Sequence, residues 1–187
     1  MAQSASITAR ARPLENAGTG IRVAGILAFA LLTALGAFIR IPLPFTPVPI
    51  TLQTFFVLMA GVYLGGRDAA LSQITYLAVG ATGLPIFAGG VGIAALLGPT
   101  GGYLLAFPIV AWFVGVTLRP GDRIDRALAV FVIAKLVIFG LGTAWLARVL
   151  GVDAERAIAL GVLPFLPGAV IKLAAATALV VRAPLTR

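Results

Sequence analysis

Gly161-Val-Leu-Pro-Phe-Leu-Pro-Gly-Ala-Val-Ile-Lys172 lies in the last long apolar segment of the chain and holds two prolines, an internal glycine and a lysine. A plain membrane anchor has no use for that combination. Pro164 and Pro167 each remove a backbone donor, so the segment is expected to break here and restart near Pro167, a favourable first-turn residue. Non-helical backbone at membrane depth survives only where it packs inside protein or lines a cavity. Lys172 then sits about 7 Å along the axis below the restart, at 1.5 Å per residue. A lysine at that depth is costly and marks a functional position.

The rest of the chain fits this setting. Its 187 residues are 60% hydrophobic and only 11% charged, with a mean hydropathy of +1.09. Soluble domains run nearer half apolar and a quarter charged. The apolar runs are continuous rather than alternating, so the expected fold class is an all-α integral membrane protein. The chain has no cysteine and no histidine, which removes disulfides, thiolate chemistry, and the commonest general base and metal ligand. No metal or cofactor is expected. A net charge of +8 raises nucleic acid as a partner, but the charges cluster in loops beside apolar spans, where they signal topology in a lipid bilayer. Nucleic-acid binding is not expected.

Six spans account for the length. Residues 1–20 are polar and read as a disordered cytoplasmic tail, and 21–187 as one six-helix transmembrane domain. The first span, about 21–41, is too long for the core of a signal peptide. It ends at Arg40 and Pro42-Leu-Pro-Phe-Thr-Pro-Val-Pro49, which four prolines make stiff and partly extended. The second span starts near Ile50 and stops at Gly65-Gly-Arg-Asp68, and the third covers about 69–84. Residues 85–99 hold several glycines and no charge, and read as a loop kept within protein. The last three spans cover about 100–118, 126–150 and 157–181, separated by charged turns.

With the N-terminus inside, inner segments carry Arg10, Arg12, Arg22, Arg67, Arg119, Arg123, Arg126, Arg182 and Arg187. Outer ones carry only Arg40, Arg148 and Arg156. Both termini are therefore expected in the cytoplasm. The proline-rich loop, the glycine-rich loop and the broken start of the sixth span then share the outer side, and three weakly charged segments converging there form the rim of a pocket.

All six acids fall in predicted loops or the tail, whereas Lys135 and Lys172 fall inside spans. The missing partner of Lys172 is expected to be an anionic ligand, helped by the dipole of the restarted helix. Lys135 lies about nine residues from the inner end of the fifth span, where snorkelling or a carbonyl contact is expected. Gln53, beside Thr51, offers a donor and an acceptor that suit a urea or amide. Tyr76 shares a helix face with Ser72 and could line a cavity. Small residues recur at Ala24-x-x-x-Ala28 and Ala30-x-x-x-Ala34, a spacing that admits a close helix neighbour, within the chain or outside it. No P-loop, metalloprotease or serine-hydrolase motif is present.

Five blocks carry a family resemblance: Pro47-Val-Pro-Ile-Thr-Leu-Gln53, Leu58-Met-Ala-Gly-Val-Tyr-Leu-Gly-Gly66, Gly83-Leu-Pro-Ile-Phe-Ala-Gly-Gly90, Leu97-Gly-Pro-Thr-Gly-Gly-Tyr-Leu104, and Leu163-Pro-Phe-Leu-Pro-Gly168 with Lys172. In this order, over about 40–175, they resemble BioY, the biotin-specific substrate-binding (S) component of energy-coupling-factor (ECF) transporters. The resemblance implies six helices with both termini cytoplasmic, in a bacterial cytoplasmic (inner) membrane. It also implies biotin as ligand near the outer face, and a transmembrane coupling subunit with two ATPase subunits as partners. Phe87 and Gly89 thereby join Thr51, Gln53, Tyr76 and Lys172 as substrate-binding residues, and Ala30 and Ala34 become the docking motif for the partner. One position departs: many family members have an acidic residue after Pro-Gly in the last block, where this chain has Ala169. Another polar group or water must then serve the ureido N–H groups. The alternatives are a transporter for a different vitamin or small carboxylate, and an intramembrane enzyme, for which no nucleophile–base pair is present.

Overall fold

The computed structural model describes residues 17–182. Residues 1–16 of the tail predicted over 1–20, and the charges of Arg10, Arg12, Glu15 and Arg187, lie outside the described residues. The first apolar run forms α1 (Thr19–Phe38), two residues ahead of its expected start. The prolines that end it build a hairpin of β1 (Arg40–Leu43) and β2 (Thr46–Thr51), paired antiparallel with Arg40 opposite Thr51 and Leu43 opposite Thr46. The ladder is irregular between Ile41 and Leu43, around Pro42, which has no N–H to give. The fold is thus mostly helical with one small sheet among the described residues, a departure from the all-α expectation.

α2 (Gln53–Leu64) and α3 (Gly66–Ala81) are separated by Gly65 alone, at φ 81°. The expected turn over 65–68 therefore shrinks to one residue, and Asp68 belongs to the first turn of α3 instead of a loop. The glycine-rich stretch contains a short α4 (Gly92–Leu97) that composition did not reveal. α5 (Gly101–Thr117) and α6 (Ile124–Leu150) follow, the latter closed by Gly151 at φ 65°. The last segment breaks as expected. α7 (Ala154–Gly161), capped by Asp153 accepting from the Arg156 N–H at 2.8 Å, leads through a 3-10 turn at Leu163–Phe165 into α8 (Leu166–Arg182).

Three stretches are long and apolar enough to cross a membrane among the described residues: Thr19–Phe38, Ile124–Leu150 and Ala154–Arg182; α2 and α5 are shorter apolar helices. α5 runs through the middle, packed on α2, α3 and α6. Val57, Val62, Val110, Val114 and Phe131 are fully buried there. The outward side chains are apolar as well: Leu27, Leu31, Leu136, Val170 and Ile171 are more than half exposed, while Gln53, Ser72, Gln73 and Lys135 are buried. Polar groups inside and a continuous apolar exterior suit a lipid solvent.

Candidate functional site

The irregular segments do converge on one end of the bundle, and side chains tie them through backbone carbonyls. Arg40 of β1 donates to the Ala88 carbonyl at 2.6 Å, Thr46 of β2 to Leu160 of α7 at 2.9 Å, and the Trp145 indole of α6 to Gly98 at 3.0 Å. Lys172 donates from α8 to the Thr51 carbonyl at 2.8 Å. Each bond satisfies a carbonyl in a loop or at the end of an element, where regular structure supplies no donor.

Beneath these ties lies a narrow cavity of about 60 Å3, open at its mouth. It is smaller than the range of about 300–1,000 Å3 usual for small-molecule sites, so a ligand must widen it. Its apolar walls come from Val48, Leu104, Phe107, Ile138, Phe139 and Phe165.

Four of the sequence-predicted residues line it: Thr51, Gln53, Gly89 and Lys172. Gly89 packs its backbone where a Cβ would strike Thr100. Tyr76 and Phe87 do not line it; they brace it from behind. The Gln53 Nε2 donates to the Tyr76 hydroxyl at 2.6 Å, and that hydroxyl donates to the Ile86 carbonyl at 3.1 Å. The Phe87 ring meets Tyr76 edge-on, centroids 5.3 Å apart, and fills the space above Gly80. With its amide nitrogen engaged, Gln53 keeps a carbonyl oxygen for a ligand N–H.

The expectation for Ala30 and Ala34 is corrected. Both are buried within the chain, on the face of α1 that packs against α2 and α3. Gly36, on the same face, is so close to the start of α2 that a Cβ would press on the Gln53 backbone. Small residues here admit a neighbour inside the chain. The pair of α1 that remains on the surface is Ala24 and Ala28.

The expectation for Lys135 is also corrected. It does not reach the interface: it is 8% exposed, lines the cavity, and holds its Nζ 4.6 Å from the Phe139 ring centre. Such a cation–π contact contributes about 0.5–2 kcal/mol, against a cost of several kcal/mol for taking an ammonium out of water. The ring alone does not offset the burial.

Sequence reasoning also missed Thr100 and Tyr103. Thr100 is buried in the cavity wall, and its hydroxyl has no partner among the described residues. Tyr103 lies against Gly142 and Gly161, too close for a Cβ at either, and donates to the Gly161 carbonyl at 2.9 Å. The uncharged run Gly98-Pro-Thr-Gly-Gly-Tyr103 ahead of an apolar helix was the available signal. Ala169 lies off the cavity, on an apolar groove between α6 and α8. Among the described residues no carboxylate lines the cavity, and its side-chain acceptors include the Gln53 oxygen and the hydroxyls of Thr51, Thr54 and Thr100.

A family model described as the BioY family matches residues 9–186. The chain belongs to the BioY family. A protein of Pyrococcus horikoshii described as a probable biotin transporter BioY is 44% identical over 154 residues, 82% of this chain and 88% of that one. The biotin transporter BioY of Thermotoga maritima is 39% identical over 155 residues, 82% and 90% of the two chains. Among solved structures, the S-component for biotin from an ECF-type ABC transporter superposes with a TM-score of 0.73 at 27% identity, covering 89% of this chain and 93% of that one. With this membership and its apolar helices, the chain is a multi-pass membrane protein.

Proposed function

We propose that this protein is the membrane-embedded biotin-binding component of a vitamin uptake transporter and has no enzymatic role. The observation that carries the proposal is the composition of the cavity: two ammonium groups, neutral polar groups at Gln53, Thr51 and Thr100, and apolar walls. Biotin has a matching set of parts, namely a carboxylate, a ureido ring with N–H donors and a carbonyl, and an apolar bicyclic body. Thr51, Gln53, Gly89 and Lys172 are the binding residues, with Tyr76 and Phe87 holding Gln53 in place. Relatives named as biotin transporters, and a solved biotin S-component of the same fold, support this assignment.

In this proposal α1, α2, α3, α5, α6 and the α7–α8 pair make six crossings of a bacterial inner membrane. Both termini are cytoplasmic and the cavity opens outward, as the arginine distribution supports. A transmembrane coupling subunit and two ATPase subunits of an ECF module supply the energy. The partner meets the outward face of α1, where Ala24 and Ala28 admit a close approach.

Calorimetric titration of the detergent-purified protein with biotin, other carboxylate vitamins and short-chain fatty acids tests the assignment. Biotin is expected to bind at least a hundredfold more tightly than the others; equal or tighter binding of another vitamin overturns biotin as the ligand. Impermeant thiol labelling of intact cells checks the orientation. Phe45→Cys should label from outside and Asp122→Cys should not, and the reverse pattern overturns the orientation.

A further inference from the structure

The cavity presents two ammonium groups and no carboxylate, and the two differ in what they already touch. Lys172 gives a hydrogen bond to the Thr51 carbonyl, which joins α8 to the end of the hairpin. Its position is explained by that bond whether or not a ligand is present. Lys135 has no hydrogen-bond acceptor among the described residues and faces only the Phe139 ring. It is also the more buried of the two.

Their depths differ as well. Lys135 precedes Trp145 by ten positions on α6, and Trp145 is tied to Gly98 at the irregular end. Lys135 therefore lies about 15 Å along the axis from that end, whereas Lys172 lies six positions, about 9 Å, past the start of α8, at 1.5 Å per residue. The neutral acceptors are elsewhere: Gln53 opens α2 just after the hairpin, and Thr100 stands just before α5. A buried ammonium without an acceptor is satisfied only by an anion or by water. The ion pairs of the described acids lie elsewhere: Asp68 is on Arg22, Asp122 on Arg126, and Asp125 on Arg123.

We propose that Lys135 is the specificity-determining residue for the anionic end of the ligand. Its ammonium takes the carboxylate at the deep end of the cavity, while the N–H groups of the ligand reach the Gln53 oxygen and the Thr100 hydroxyl. Lys172 acts as a positioning residue that fastens the hairpin over the site. This replaces the sequence-based expectation, in which Lys172 took the carboxylate and Lys135 was a bystander. The inference rests on the biotin assignment. Lys135 and Phe139 also border the apolar groove between α6 and α8, so a lipid carboxylate is a second source of the same anion. The soluble ligand is favoured because Thr51, Gln53, Thr54 and Thr100 line the cavity, whereas Thr143 is the one neutral polar side chain among the described residues of that groove.

The test is calorimetric titration of the purified full chain with biotin and with biotinamide, whose tail is neutral. It uses wild type, Lys135→Gln, Lys135→Met and Lys172→Gln. Removing one partner of a desolvated charge pair is expected to weaken biotin binding by roughly 30-fold to several-thousand-fold at Lys135. Biotinamide should bind wild type more weakly than biotin by a comparable factor and lose little further on either Lys135 variant. Lys172→Gln should weaken acid and amide by similar factors, so that their ratio is kept.

Equal binding of acid and amide by wild type overturns the inference without any variant, so a variant that fails to fold does not protect it. An acid-to-amide ratio that survives Lys135→Gln, or collapses only in Lys172→Gln, overturns it too. Decanoate added to the wild-type titration should not displace biotin. Displacement at matched concentration would assign Lys135 to the lipid carboxylate and overturn the soluble-ligand assignment. If wild type binds neither biotin nor biotinamide, the biotin assignment itself fails and the inference with it; that outcome differs from biotin binding with an unchanged ratio.

Discussion

The two ends of the helix bundle are closed by different means. At the charged end, α1 meets α3 through a bidentate pair, Arg22 on Asp68 with both N–O distances at 2.8 Å, and Gly121 N–H reaches the Val180 carbonyl at 2.7 Å. Asp122 accepts from the Arg119 N–H at 2.9 Å within the same turn. At the irregular end, single hydrogen bonds from the side chains of Arg40, Thr46 and Lys172 to backbone carbonyls hold a hairpin, a glycine-rich loop and a broken helix together. One end is fastened by charge paired with charge. The other is fastened by groups that lie against a cavity, so ordering the closure and holding a ligand draw on the same contacts. Substitutions at the first end should therefore act on stability and at the second on binding.

The largest expected effect is at the charged end. Asp68 is buried, with its side chain 6% exposed, whereas the Arg22 side chain is 38% exposed. Removing one side of a fully buried pair costs about 3–5 kcal/mol; with Arg22 partly accessible, Asp68→Ala should cost about 2–3 kcal/mol. Thermal unfolding in detergent should show a clear loss, while the affinity of the folded fraction for biotin stays within about twofold of wild type. A large loss of affinity at unchanged stability would remove the contrast between the ends.

An intermediate effect is expected at Tyr103, which belongs to both roles. Its hydroxyl holds the Gly161 carbonyl where α7 ends, and its ring lines the cavity. Tyr103→Phe leaves a buried carbonyl without its donor, a loss of about 1–2 kcal/mol. Stability and affinity should fall together, the latter by about 5- to 30-fold. A fall in stability alone would make Tyr103 a structural residue and shrink the site to its polar end.

What was legible in the sequence follows the same division. The apolar lengths, the charged turn near 119–123 and the break at Pro164–Pro167 are local features, and they reappear within a few residues. The convergence of three weakly charged segments was legible because alternate loops of a helix bundle fall at the same end. The hairpin was not. Four prolines exclude helix, but pairing Arg40 with Thr51 depends on register across the turn. The direction of a helix face was equally hidden. α6 is apolar nearly all round, with mean hydropathy 2.2 in its span, so no polar stripe showed that Lys135 faces the cavity. In α1, two small-residue pairs offered two faces. The resemblance points to Ala30 and Ala34 as the docking pair, whereas packing on α2 and α3 turns them in. Tyr76 shares a helix face with Ser72, as its spacing implies, but its place behind the cavity wall, bonded to Gln53, required the tertiary structure.

The smallest expected effect separates the ends most cleanly, because it compares two exposed arginines. Arg40 donates to the Ala88 carbonyl at 2.6 Å across the mouth of the cavity, and Arg123 lies 3.1 Å from Asp125 at the opposite end, with both of those side chains mostly exposed. By exposure alone both contacts are weak. They differ in what they restrain. Arg123 and Asp125 are two residues apart and bridge nothing distant, whereas Arg40 joins the hairpin to the glycine-rich loop, 48 positions away. Arg40→Gln should leave thermal unfolding unchanged and speed biotin release by about two- to fivefold, the kinetic equivalent of about 0.4–1 kcal/mol. Arg123→Gln should alter neither quantity. Stopped-flow displacement of bound biotin reads the difference directly. Equal release rates in the two variants would mean that the closure over the cavity does not hold the ligand, and that the irregular end, like the charged one, serves only to keep the helices together.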